Sequence, residues 1–175
     1  GPDHERWALI RSVSKFLGPD MCLAVTASDP ETAARLALRL SPGTTWVSHL
    51  LQRLAHALLT DDAVRDDIRR AGAHYAERNA AVAQLLQNAG VPAHAADGLN
   101  LWVPLGAPAR AVGEHLMRRG WLARSGEEFV LAGEDAAQHL RLTVHDLTDA
   151  EATRLASDLS AAIDAARSTK AGQPS

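Results

Sequence analysis

Ser12-Val13-Ser14-Lys15-Phe16-Leu17-Gly18-Pro19-Asp20-Met21-Cys22 places two hydroxyls and an amine on one tight loop, with Gly18-Pro19-Asp20 supplying the turn. Trp7–Ser12 before it reads as a short strand and Cys22–Ala27 after it as another, so Lys15 is expected between two buried strands. Such a loop suits a phosphate-bearing aldehyde. The amine can condense with the aldehyde while hydroxyls and backbone N–H groups hold the phosphate, and a buried strand end would favour the neutral, nucleophilic amine. The same residues also read as a solvated lysine beside turn-forming serines, and chemistry alone leaves both open.

Lysine is used sparingly here. Of the 18 Lys and Arg residues in the 175, only Lys15 and Lys170 are lysines. Where arginine is the general surface cation, a lysine points to a task that a guanidinium cannot perform, such as amine nucleophilicity. The composition, 46% hydrophobic and 22% charged, is that of an ordinary globular chain long enough to bury a core. A net charge of -3 gives no electrostatic footprint for nucleic acid over the chain as a whole. No stretch reaches the roughly 18 uninterrupted apolar residues of a membrane span, and no signal peptide is evident, so the expected location is cytoplasmic. The single cysteine, Cys22, excludes an internal disulfide, and reads as a small buried apolar residue. The histidines, 8 in all, lack metal-site spacing and are assigned to packing or capping.

Downstream of the loop, Asp29 and Pro30 read as N-cap and first residue of a helix through Leu40, stopped by Ser41-Pro42-Gly43. A second helix is expected from about Thr45 to Leu59, with Thr44, Thr45 and Ser48 read as capping residues ahead of the alternative that they reach a phosphate across a dimer interface. A long helix follows, with Val64, Ile68, Tyr75, Val82 and Leu86 near helical spacing, ended by Asn88-Ala89-Gly90. Its Arg65, Arg69, Arg70 and Arg78 stand among acidic residues and read as a solvated, self-compensating face. Beyond Val91 the elements shorten. Strands are expected at Leu99–Leu105, Trp121–Ala123, Phe129–Leu131 and His139–His145, and a helix at Ala109–Arg119. Thr148 caps a last amphipathic helix to about Ala166. Trp7, Trp46, Trp102 and Trp121 are expected to be core aromatics. Arg141 falls on a strand that otherwise reads as buried, where it needs an anionic partner; a surface ion pair on an edge strand is the alternative.

The lysine stretch resembles the lysine motif of type I fold pyridoxal-phosphate (PLP) enzymes, and more narrowly that of the MocR-type regulators of the GntR superfamily. Arg6-Trp7-Ala8-Leu9-Ile10-Arg11, Ser41-Pro42-Gly43, Trp46-Val47-Ser48-His49-Leu50-Leu51-Gln52 and Asp97-Gly98-Leu99-Asn100-Leu101-Trp102 follow the same pattern. The resemblance covers nearly the whole chain. It implies an α/β to α+β fold, the C-terminal part of a type I fold PLP-dependent aminotransferase: residues 1–60 as the end of the large PLP-binding domain, 61–90 as a long connecting helix, 91–166 as the small α+β domain and 167–175 as a disordered tail. Because the chain opens almost directly into a strand, it reads as a piece of a longer protein.

By the same resemblance Lys15 is the Schiff-base lysine, Ser12 the phosphate-binding hydroxyl and Ser14 a weaker candidate for that role. The family's phosphate-binding arginine falls at Cys22, so a bidentate, charge-assisted contact is missing there. Arg141 matches the small-domain arginine that clamps a substrate α-carboxylate. The implied function is the effector-sensing part of a transcriptional regulator, a homodimer responding to PLP or an amino-acid-like effector and reaching DNA only through an N-terminal winged helix that is not in this chain. A fragment of a genuine aminotransferase, a degenerate domain that no longer holds PLP, and an α+β interaction domain with an incidental lysine are the alternatives. In each case the fragment alone is expected to be inactive as an enzyme.

Overall fold

The computed structural model describes residues 5–40, 47–129 and 136–171. Contacts divide the chain into residues 1–70 and 71–175. In the first unit, β1 (Ala8–Ser12) pairs antiparallel with β2 (Ala24–Ser28), Ser12 opposite Ala24 and Ala8 opposite Ser28. Helix α1 spans Pro30–Leu40, α2 His49–Thr60, and α3 runs from Asp62 to Asn88, so the boundary between the units falls within it.

The first helix starts where the sequence places it, whereas α2 begins at His49 rather than near Thr45. Asp29 Oδ1 accepts from the amide of Thr32 at 2.9 Å, the N-cap bond, while its Oδ2 accepts from the amide of Trp7 at 2.8 Å and ties the helix start to the strand. Ser48 caps α2 by accepting from the Leu51 amide at 3.3 Å; Thr44, Thr45 and Trp46 lie outside the described residues. At the end of α3, Gly90 takes φ 81°, and the amides of Gly90 and Val91 reach the carbonyls of Gln87 and Leu86, closing the helix in the glycine-dependent geometry that the sequence signals.

Burial in this unit departs from expectation. Every residue of β1 and all of β2 but Ser28 are exposed, and α1 buries none of its residues. Val13, Met21 and Ala55 form a small core, with Leu17, Leu23 and Leu51 packed on it. Apolar composition made both strands look buried, but a two-stranded sheet has no second layer of its own to cover its faces.

The second unit holds the main core. β3 (Asn100–Pro104), α4 (Ala109–Met117), β4 (Arg124–Ser125), β5 (His139–Thr143) and α5 (Asp149–Ala171) follow in order, and the antiparallel sheet has the strand order β3-β5-β4. Leu101 and Val103 of β3 and Leu140 and Leu142 of β5 point to the core, where Val82 and Leu86 of α3, Leu116 of α4 and Leu159 of α5 are fully buried. The alternate residues, among them Trp102 and Arg141, therefore lie on the opposite face.

Several expectations are corrected here. Trp121–Ala123 is not strand: the Trp121 amide bonds the Leu116 carbonyl as part of the α4 terminus, its indole donates to Asp158 at 2.7 Å, and pairing with β5 begins only at Arg124. Phe129 ends a short 3₁₀ turn, Gly126–Phe129, started by a Ser125 hydroxyl that accepts from the Glu127 amide; Leu131 lies outside the described residues. Helix α5 continues through Arg167 to Ala171 instead of giving way to a disordered tail at 167. Buried Ala166 and the Arg167 guanidinium, which donates to the Leu105 carbonyl at 2.9 Å, hold the added turn. Arg65, Arg69 and Arg70 do pair with Asp62, Asp66 and Asp67 along α3. Arg78 does not belong to that solvated face: its side chain is 21% exposed and bonds Asp149 and the Leu147 carbonyl at the start of α5. Trp7 and Trp102 are half exposed rather than core.

Candidate functional site

The β1–β2 connection carries the lysine. The Val13 amide bonds the Leu23 carbonyl at 3.0 Å, continuing the ladder by one rung, and buried Val13 and Met21 anchor the two ends of the loop. The amides of Phe16 and Leu17 turn back to the Val13 carbonyl, and Gly18, at φ 115°, reverses the chain toward Met21. Between these anchors Lys15 is exposed. The burial expected at this strand end is therefore absent, because the strands are themselves uncovered.

Ser12 and Ser14 are brought together. The Ser12 hydroxyl donates to Ser14 Oγ at 3.1 Å and accepts from the Ser14 amide at 3.3 Å, while Ser14 donates to the Met21 carbonyl at 2.9 Å. Ser12 is exposed and Ser14 half-buried, so the first hydroxyl faces solvent and the second braces the loop. Cys22 is exposed rather than buried, its thiol turned to the Pro19 carbonyl at 3.8 Å, a long and weak sulfur contact. The loop offers a phosphate an amine and a hydroxyl, and no guanidinium at position 22.

Arg141 belongs to the second unit. It is half-buried on the outward face of β5, its guanidinium 4.3 Å from the centroid of the Phe129 ring. Its Nε is buried without a hydrogen-bond partner, and among the described residues no ion pair is formed by it. Its Cα partners are Trp102 on β3 and Arg124 on β4, making one row across the sheet. Arg124 was missed in the sequence because its strand is two residues long and gives no periodicity; its proximity to Arg141 is a matter of register. A cavity of about 460 Å³ opens beside them, lined by Leu122, Ala123, Arg124, Glu128, Arg141 and Thr143. Among the described residues no cluster of His, Cys, Asp or Glu could hold a metal, and no helix is long and apolar enough to cross a membrane.

Comparison with known proteins places this architecture. No family model matches the chain. It is 44% identical over 161 residues to the vitamin B6 salvage pathway transcriptional repressor PtsJ of Salmonella typhimurium, an alignment covering 91% of this chain and 37% of that protein. Among solved structures it resembles the α-aminoadipate aminotransferase LysN of Thermus thermophilus, solved with N-(5'-phosphopyridoxyl)-L-leucine, at TM-score 0.74 and 21% identity over 93% of this chain and 43% of that one. It also resembles a multiple substrate aminotransferase of Thermococcus profundus, at TM-score 0.78 and 17% identity over 93% of this chain and 41% of that one. The chain thus spans roughly two fifths of the length of the relatives it matches. The chain has the fold of the C-terminal part of a type I aminotransferase domain, and in sequence it is similar to a vitamin B6 salvage repressor.

Proposed function

We propose that this chain is the cofactor- and effector-sensing part of a MocR-type transcriptional regulator, with PLP held at Lys15. The observation that carries it is the exposed Lys15 amine on a loop anchored at both ends, three residues after the exposed Ser12 hydroxyl. Similarity to a repressor named for vitamin B6 salvage, together with an aminotransferase fold, supports this over an incidental loop lysine.

When bound, PLP supplies an aldehyde that captures amines and an electron-withdrawing ring. The chain's own part is binding and orientation. Lys15 would hold the cofactor covalently, and Ser12 would give its hydroxyl to the phosphate. Ser14, committed to Met21, would keep Ser12 and Lys15 in register. Cys22, standing where the resemblance calls for arginine, leaves the phosphate without its charge-assisted contact and favours reversible, concentration-dependent occupancy, as a sensor requires. Arg141 would receive the carboxylate of an amino-acid-like effector. The intact protein would be a cytoplasmic homodimer whose DNA contacts come from a winged helix N-terminal to this chain.

The test is to incubate the chain with PLP, reduce with borohydride and map the pyridoxyl adduct by mass spectrometry. Lys170 is the internal control, since only two side-chain amines compete. Preferential labelling of Lys15 is expected; equal labelling of both lysines would make the chain a degenerate domain.

A further inference from the structure

Arg141 and Arg124 are Cα partners on β5 and β4, which sets their side chains on the same face of the sheet with Cβ atoms about 5 Å apart. Two guanidiniums placed directly opposite one another repel. Among the described residues, the carboxylates nearby do not balance them. Glu128 lies 3.6 Å from Arg124, with both side chains largely in water, and among the described residues Arg141 has the Phe129 ring beneath it and a buried Nε without a partner. Stacking on a ring occupies a face of the guanidinium and leaves its N–H edge to an acceptor in its own plane. Both arginines open into the same cavity of about 460 Å³.

We propose that this cavity is a dianion site, in which one carboxylate of a ligand takes Arg141 and a second takes Arg124, displacing Glu128, so that the effector is dicarboxylic. The assignment rests on the proposed function only for the ligand's amino-acid character; the two carboxylates are assigned by the two arginines. Neighbouring strands are about 5 Å apart, a distance that a chain of three methylenes between two carboxylates spans.

The test is an NMR titration of the whole chain, without added PLP, with glutarate and with pentanoate, acids of equal carbon number. Glutarate is expected to bind about fivefold tighter, the range of an exposed ion pair. Arg124→Gln is expected to remove that preference and Arg141→Gln to weaken both acids. Glu128→Gln is expected to tighten glutarate and leave pentanoate unchanged, a gain that no folding defect produces. Equal affinities for the two acids, no detectable binding of either, or a preference that survives Arg124→Gln would overturn the proposal. Unselective PLP labelling with the glutarate preference intact would sink the cofactor role alone; selective Lys15 labelling with equal binding of the acids would sink the dianion site alone.

Discussion

The hydroxyl of Ser12 donates to that of Ser14 across 3.1 Å, and Ser14 in turn donates to the carbonyl of Met21 at 2.9 Å. The two serines therefore differ in role although they differ little in sequence context. Ser12→Ala is expected to weaken PLP about fivefold and to leave pyridoxal, which lacks the phosphate, unaffected, in line with about 1 kcal/mol for one hydrogen bond. Ser14→Ala loosens the loop and should weaken both compounds alike. Parallel titrations followed by absorbance check this; a phosphate-selective effect of Ser14→Ala would reverse the roles.

Restoring the missing cation should strengthen the hold on the phosphate. Cys22 is exposed and its thiol makes one weak contact, so an arginine can be accommodated there without displacing core. Cys22→Arg is expected to tighten PLP by about tenfold, and pyridoxal not at all. Equal tightening of both would show that the new guanidinium is not reaching the phosphate.

The two units should differ in stability. The first has three buried apolar residues in its core cluster, the second a continuous core drawn from α3, α4, α5 and the sheet. Amides of β3 and β5 are expected to exchange at least about a hundredfold more slowly than those of β1 and β2, as the better-buried elements open only with the unit. Leu159→Ala, at a fully buried position, should cost about 3 kcal/mol, and Leu38→Ala, 75% exposed, close to nothing. Urea denaturation of both variants provides the comparison, and a large loss at Leu38 would mean that α1 is covered in solution.

Acid should unfasten two helix starts. Hydrogen bonds from the Thr32 hydroxyl, the Thr32 amide and the Trp7 amide hold the Asp29 carboxyl far below the usual carboxylate range. The Thr148 hydroxyl, then its amide, lowers that of Glu151, the partner of Thr148 in a reciprocal cap at α5. A carboxyl lowered on folding contributes stability that is present above its unfolded pKa and lost as pH falls through the folded one. Stability is therefore expected to decline as pH drops below about 4. The decline should be shallower in Asp29→Asn with Glu151→Gln, and an unchanged slope in that double variant would assign it elsewhere.

The sequence showed most of what local chemistry encodes. Asp29-Pro30, Ser48, Gly90 and Thr148 mark helix ends because each satisfies orphaned backbone groups within its own segment, and the Lys15 loop is legible because its anchors lie a few residues away. What escaped depends on partners distant along the chain. Ile10 and Val25 are exposed on apolar strands among the described residues, which no alternation pattern reports. Arg78 looked like its solvated neighbours until Asp149 and Leu147 were brought against it. Arg124 stands opposite Arg141 through register alone.

Trp102, the Cα partner of Arg141, lies nearly parallel to the imidazole of His139, with the planes 17° apart and the centroids separated by 5.4 Å. Indole emission responds to charge placed near the ring, so an anion settling on the neighbouring guanidinium alters it. The molecule thus carries its own lamp beside the arginines, one whose brightness reports charge arriving there without any dye attached.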